Sequence, residues 1–235
     1  MAWLIVAGIL ISIIAGGWIT MEHGSLAFFR LPKGPKPGQI RVACAGDSIT
    51  YGYGVRNWTK NQYPVQLGKM LGEGYCVRNF GVCGATASAA GDCPYVQTMA
   101  YRQSLAFKPD IVLLMLGTND SKPANYRGAA AYGKDMQRLI SSYWALDSRL
   151  KVILLTPPPA WGDPVPFTID ARVIEQEIRP ALIALAQKEN APCIDVFAAF
   201  DGKRELLWDG VHPNGDGAKC MAEIIVAYLK QEKQA

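Results

Sequence analysis

The chain has 235 residues, half of them apolar and 19% charged, a composition that argues against global disorder and suits one α/β domain with additions. The formal net charge is +4, with lysine and arginine scattered and no basic stripe, so no nucleic-acid partner is implied. Two histidines and no Cys-x-x-Cys pair argue against a zinc site, and no metal is expected.

Residues 1–21 form a separate object. Met1 to Thr20 contains no charged side chain. A helix of about twenty residues rises about 30 Å, the thickness of a hydrocarbon core. Trp3 and Trp18 lie near its ends, where aromatic rings favour the membrane interface. No Lys or Arg precedes the apolar run, unlike the basic start of a secretory signal. A single-pass transmembrane anchor is therefore expected. A cleaved signal, which would make the protein secreted, and a soluble-domain helix are the other readings. Arg30, Lys33 and Lys36 follow the segment and favour a cytoplasmic position for the rest of the chain. Residues 22–38 carry Pro32, Pro35 and Pro37 among Gly and Lys and read as a stiff linker. The folded domain is expected over 39–235.

From there, apolar runs alternate with helical patterns. Strands are expected over 40–45, 75–80, 111–116, 151–156 and 192–197. The run Ile111-Val112-Leu113-Leu114-Met115-Leu116 is apolar throughout, as in a strand covered on both faces. Between the strands, Tyr132, Met136, Leu139, Ile140 and Tyr143 share a helical face, as do Ile174, Ile178, Leu182 and Leu185. A last helix groups Ala218, Met221, Ala222, Ile225 and Leu229. This alternation implies a parallel, doubly wound sheet, whose ligands bind beyond the carboxyl ends of the strands. Cys44, Cys193 and Cys220 read as small core residues. Cys76, Cys83 and Cys93 lie close in sequence and could hold a bridge in an exported domain.

The residues that carry chemistry follow these strand ends. Strand one leads into Gly46-Asp47-Ser48, a sharp turn that can present a serine hydroxyl above the sheet. Strand two leads into Gly81-Val82-Cys83-Gly84, and strand three into Gly117-Thr118-Asn119-Asp120. After strand five comes Asp209-Gly210-Val211-His212-Pro213-Asn214. Serine needs a base to become a nucleophile, and His212 is the one histidine of the 39–235 domain. Asp209, three residues earlier, can hold the far nitrogen of the imidazole. Gly84 and Asn119 can supply oxyanion donors. Each segment also has an ordinary reading: glycine and asparagine form turns, and Asn214 can cap a helix. The loop 157–167 holds five prolines and Trp161, which reads either as a rigid connector or as a flat substrate-binding face.

Together these blocks resemble those of the SGNH hydrolases, the GDSL esterase/lipase family. Gly46-Asp47-Ser48, Gly84, Gly117-Thr118-Asn119-Asp120, and Asp209 with His212 match its four blocks in order. Ile49 stands where the family name has leucine. The resemblance implies a flavodoxin-like three-layer α/β/α sandwich with a five-stranded parallel sheet. It implies Ser48 as nucleophile, His212 as base and Asp209 as its orienter, with oxyanion donors from Ser48, Gly84 and Asn119 and no cofactor. Within the family, Asp209-Gly-Val-His-Pro-Asn and Leu116-Gly-Thr-Asn-Asp-Ser-Lys-Pro are similar to bacterial carbohydrate or sialate O-acetylesterases.

The expected activity is therefore hydrolysis of acetyl esters, with an acetylated saccharide as the small-molecule substrate. The polar segment 121–127 and the proline-stiffened 157–167 suit a small acyl group better than a lipid tail. A thioesterase or lysophospholipase is the alternative enzyme. A flavodoxin-like binding module is the non-enzyme alternative, and it leaves Ser48, Asp209 and His212 without a task.

Overall fold

The computed structural model describes residues 34–147 and 149–232. The expected anchor, residues 1–21, lies outside the described residues, with most of the linker. Among the described residues no helix is long and apolar enough to cross a membrane. Residues 34–38 are exposed; the Lys36 ammonium pairs with Glu73 at 3.7 Å, and the Gln39 amide donates to the Glu73 carbonyl at 2.7 Å.

The strands are β1 (Ile40–Gly46), β2 (Tyr75–Gly81), β3 (Ile111–Met115), β4 (Lys151–Leu155) and β5 (Cys193–Ile194). They form one sheet in the order β2-β1-β3-β4-β5, with every pairing parallel. Six helical segments matter below: α1 (Ser48–Tyr51), α2 (Tyr63–Leu71), α3 (Met99–Ala106), α4 (Ala129–Trp144), α5 (Arg179–Lys188) and α6 (Gly215–Gln231).

Side chains alternate across a strand, so each strand feeds two cores. Ala43, Ala45, Val112, Leu114, Val152 and Leu154 pack with residues of α3, α4 and α5. Val42, Cys44, Leu113, Met115, Ile153 and Leu155 pack with α2 and α6. The result is the expected three-layer arrangement. The apolar faces predicted for the helices are the buried ones: Met136, Leu139, Ile140 and Tyr143 on α4, and Met221, Ala222, Ile225 and Leu229 on α6. All six cysteines are free thiols. Cys44 is buried, and burial pushes its thiol up to about 12.

Two segments differ from expectation. Strand five was expected over 192–197 but spans only Cys193–Ile194. Asp195 ends it, because its carboxylate accepts from the Ala198 N–H (3.3 Å) and from the Thr156 hydroxyl (2.9 Å), and pairs with Arg179 at 2.6 Å. A short acidic side chain that captures local N–H groups competes with a ladder. Val196 and Phe197 are buried from a helical turn instead. The helix around Ile174 to Leu185 is interrupted by a π-helical turn over Ile174–Ile178 before Pro180 enters α5. Proline lacks the N–H of a regular turn, and a wider turn ahead of it accommodates the loss. Ile174, Ile178, Leu182 and Leu185 remain buried.

Candidate active site

The register sets the site. Gly46 of β1 pairs with both Gly81 of β2 and Met115 of β3, so these three strands end level. The segments carrying Ser48, Gly84 and Asn119 therefore leave one rim of the sheet. The chain turns directly from β1 into the one-turn helix α1. Gly46 makes this possible: a Cβ there would lie 2.3 Å from Thr50 Oγ1 and 2.4 Å from the Met115 carbonyl oxygen. Asp47 caps the turn by accepting from the Ile49 N–H at 2.9 Å, and the Ser48 carbonyl accepts from Gly52 and Tyr53, both at 2.9 Å. Asn79 of β2 donates to the Thr50 carbonyl (2.8 Å), and the Trp58 indole to that of Tyr51 (2.6 Å). Ser48, as the first helical residue, has a backbone N–H without an intrahelical partner. Asp47 is fully buried, and burial pushes its carboxyl up to about 7.

The second half of the site is the turn between Leu207 and Pro213, closed by an antiparallel bridge between those two residues and by the Trp208 N–H donating to the His212 carbonyl at 3.0 Å. Within it, Asp209 Oδ1 accepts from the backbone N–H of Val211 (2.9 Å) and of His212 (2.7 Å). Asp209 Oδ2 lies 2.7 Å from His212 Nδ1, and His212 Nε2 lies 2.9 Å from Ser48 Oγ. Asn214 also caps α6, accepting from Asp216 and Gly217 at 3.0 Å, so the capping role coexists with the contacts of Asp209, His212 and Ser48. Burial lowers the His212 pKa below its ordinary 6.5, and Asp209 opposes this only in part, so the ring is neutral at pH 7. Burial works to raise Asp209, but its hydrogen bonds from His212 and Val211 carry it below the usual carboxylate value.

Gly84 has φ +81°, and a Cβ there would meet nothing within 4 Å, which leaves its backbone open to the cavity it lines. The Asn119 amide donates one hydrogen to the Ala85 carbonyl at 3.1 Å and has a second to offer. Asn125 fixes it from behind by donating to the Asn119 carbonyl at 2.9 Å. Next to it, Asp120 accepts from the N–H groups of Ala87 (3.0 Å) and Ser88 (2.8 Å), tying the loop after β3 to the loop after β2.

Ser48, Gly84, Asn119 and His212 line one cavity of about 220 Å³, with Tyr53 and Phe167 among its other walls. A larger depression of about 590 Å³ along α4 has no histidine in its lining. Trp161 does not line the 220 Å³ cavity. Its backbone N–H donates to the Gly210 carbonyl at 2.7 Å, its ring packs on the core beside α6, and Arg204 lies 5.8 Å above it. It fastens the loop after β4 to the histidine turn. The aromatic rings close to His212 are Tyr53, Phe167 and Trp208, at centroid distances of 4.8, 5.2 and 6.4 Å. Sequence reasoning passed over all three. Tyr53, just past the Ser48 turn, and Trp208, one residue before Asp209, had proximity as a signal; Phe167 had none beyond its proline-rich loop.

A parallel α/β sandwich with a serine–histidine–aspartate contact on its carboxyl rim defines the structural class of the site. The chain belongs to the GDSL-like lipase/acylhydrolase family, whose profile matches residues 44–220. It is 40% identical over 215 residues to an acetylxylan esterase of Xylanibacter ruminicola, covering 83% of this chain and 44% of that protein. The chain spans less than half the length of the curated relatives it matches. Among solved structures it is similar to Est24, a carbohydrate acetylesterase of Sinorhizobium meliloti, at TM-score 0.67 and 19% identity. It is also similar to an aryl esterase of M. smegmatis, at 0.66 and 20%. Each match covers 82% of this chain and 99% of the other, and at these identities the likeness is one of fold.

Proposed function

We propose that this protein is a serine esterase that removes acetyl groups from carbohydrate. The observation that carries the reading is the contact series Ser48 Oγ to His212 Nε2 (2.9 Å) and His212 Nδ1 to Asp209 (2.7 Å). His212, held neutral by burial, takes the Ser48 proton as the oxygen attacks the ester carbonyl. The Ser48 and Gly84 N–H groups and the Asn119 amide receive the developing oxyanion. His212 then protonates the departing alcohol, and water activated by the same ring releases the acid from the acyl-enzyme. Asp209 holds the imidazole in the tautomer that leaves Nε2 free to accept.

The small cavity supports a small acyl group: at about 220 Å³ it falls below the roughly 300–1,000 Å³ of sites for drug-sized ligands. The similarity to an acetylxylan esterase supports carbohydrate as the alcohol. Residues 1–21 are proposed as a membrane anchor, so the full chain should sediment with membranes and resist a salt wash.

The test is a hydrolysis panel. kcat/KM is expected to be highest for acetyl esters and at least about tenfold lower for octanoyl esters, a loss of about 1.4 kcal/mol of transition-state binding. Octanoyl or acyl-CoA substrates outperforming acetyl esters would move the assignment to a thioesterase or lysophospholipase.

A further inference from the structure

Five large apolar or aromatic side chains are exposed among the described residues: Tyr53, Met99, Leu146, Phe167 and Trp208. Three of the five meet at one place. Tyr53 lies 6.4 Å from Phe167, edge-on at 89°, and 6.2 Å from Trp208 at 35°. All three rings surround His212. Trp208 and Phe167 are each 50% exposed and Tyr53 41%, which is costly for such side chains unless something covers them in use.

The three rings come from three separate segments, and two of those segments are built to hold them. Gly54 has φ +73°, and a Cβ there would lie 2.3 Å from the Trp208 indole, so the ring is seated against bare backbone. Phe167 and Thr168 both sit in the left-handed region, at φ 60° and 56°. Two consecutive non-glycine residues held there are strained, and such strain persists where the surroundings over-determine it, often at ligand sites.

The chemistry of the relay says which part of a substrate these rings meet. His212 Nε2 must deliver its proton to the leaving oxygen, so the alcohol departs on the His212 side. Rings gathered around His212 therefore flank the alcohol on the His212 side of the cavity, and the space beside Gly84 and Asn119 is left for the small acyl group. Tyr53 and Phe167 line the cavity itself, and Trp208 stands outside it. The collar thus continues past the reacting centre, further than an acetyl group or a short alcohol would reach.

We propose that Tyr53, Phe167 and Trp208 form a stacking subsite for a pyranose ring of the leaving alcohol, with Trp208 as its outer platform. A pyranose presents apolar C–H faces and hydroxyls around its edge. The collar offers aromatic faces together with the Tyr53 hydroxyl, and Lys122, paired with Asp92 at 3.7 Å, lines the same cavity. This inference rests on the esterase reading and extends it from the reacting bond to the group that leaves.

The test uses the full-length chain and three acetates: an acetylated methyl pyranoside, phenyl acetate and ethyl acetate. The readout is the ratio of kcat/KM for the pyranoside to that for ethyl acetate. Wild type should favour the pyranoside at least about tenfold. Trp208→Ala should lower the ratio about tenfold, or about 1.4 kcal/mol, chiefly through KM. Trp208→Phe should recover most of it, and Tyr53→Ala, which leaves the Trp208 seat in place, should also lower it. A folded Trp208→Ala variant with an unchanged ratio overturns the subsite. A Trp208→Ala loss in kcat/KM that is larger for phenyl acetate than for the pyranoside overturns the pyranose assignment in favour of a planar aromatic alcohol. Wild-type hydrolysis of ethyl acetate with no preference for the pyranoside removes the inference and leaves the esterase reading standing. Inactivity on all three removes both.

Discussion

Two loops meet at the cavity, and they are held in opposite ways. The turn from Leu207 to Pro213 is short and closed on itself: a bridge joins its ends, and Asp209 alone accepts two backbone N–H groups and the His212 ring. The loop between β4 and the π-helical turn is long, carries five prolines and passes through left-handed conformations at Phe167 and Thr168. The first is rigid through its own hydrogen bonds. The second borrows its position, in part from the 2.7 Å hydrogen bond by which Trp161 grips Gly210 of the first. Asp209 and His212 sit in the self-contained turn, which also carries Trp208, whereas Phe167 sits in the dependent loop. Of the three rings around His212, Phe167 is thereby the one whose position is borrowed.

The sharpest way to break this division is to disturb the turn. Asp209→Asn keeps the size of the side chain but disfavours the tautomer that leaves Nε2 able to accept, and kcat should fall by about 10³–10⁴ with the fold intact. Steady-state kinetics beside a circular dichroism melt checks this; a loss below tenfold would mean that Asp209 only shapes the turn. Next in size is Asn119→Ala, with kcat down by about 10²–10³ and KM changed less, because the oxyanion forms only on the way to the transition state. A rise in KM at constant kcat would make Asn119 a ground-state binding group.

A milder disturbance separates the dependent loop from the chemistry. Trp161→Ala removes a half-buried ring packed on the core and should lower unfolding free energy by about 2 kcal/mol. Its preference between an acetylated pyranoside and ethyl acetate should stay at the wild-type value, measured below the lowered melting temperature. A changed preference with unchanged stability would restore Trp161 as a substrate-binding face. The smallest effect expected is on the pH profile. On the proposed mechanism neutral His212 is the working form, and burial lowers its pKa, so kcat/KM should hold on acidification past 6.5 and fall only below it. An inflection above pH 7 would contradict the burial of that ring.

The legibility of the sequence follows the same division. That Ser48, Asp209 and His212 come together could be read because local spacing constrains them: three residues within one turn bring a carboxylate to an imidazole, and parallel strands bring their far ends to one rim. The helices were visible for a similar reason, since faces such as Met136, Leu139, Ile140 and Tyr143 repeat at helical spacing and are buried. Strand five was overestimated because Val196 and Phe197 carry strand-like side chains, while Asp195 captures the Ala198 N–H and turns the chain. In the sequence Trp161 reads as the flat face of its loop, and Phe167 carries no signal that sets it apart. Which of two rings six residues apart enters a cavity depends on backbone angles between them, and neither hydropathy nor spacing encodes those. Tyr53 and Trp208 were overlooked because stacking around a histidine is a tertiary fact, assembled from segments about 155 residues apart.

The central claim is that Ser48 is the nucleophile and that His212 activates it. The direct measurement is labelling of the folded protein with a fluorophosphonate, followed by peptide mapping by mass spectrometry. One adduct is expected, on Ser48, with loss of esterase activity in step with labelling; His212→Ala should slow the labelling by at least about a hundredfold. Labelling of a different residue, or a folded Ser48→Ala variant that still turns over acetyl esters at the wild-type rate, would contradict the account.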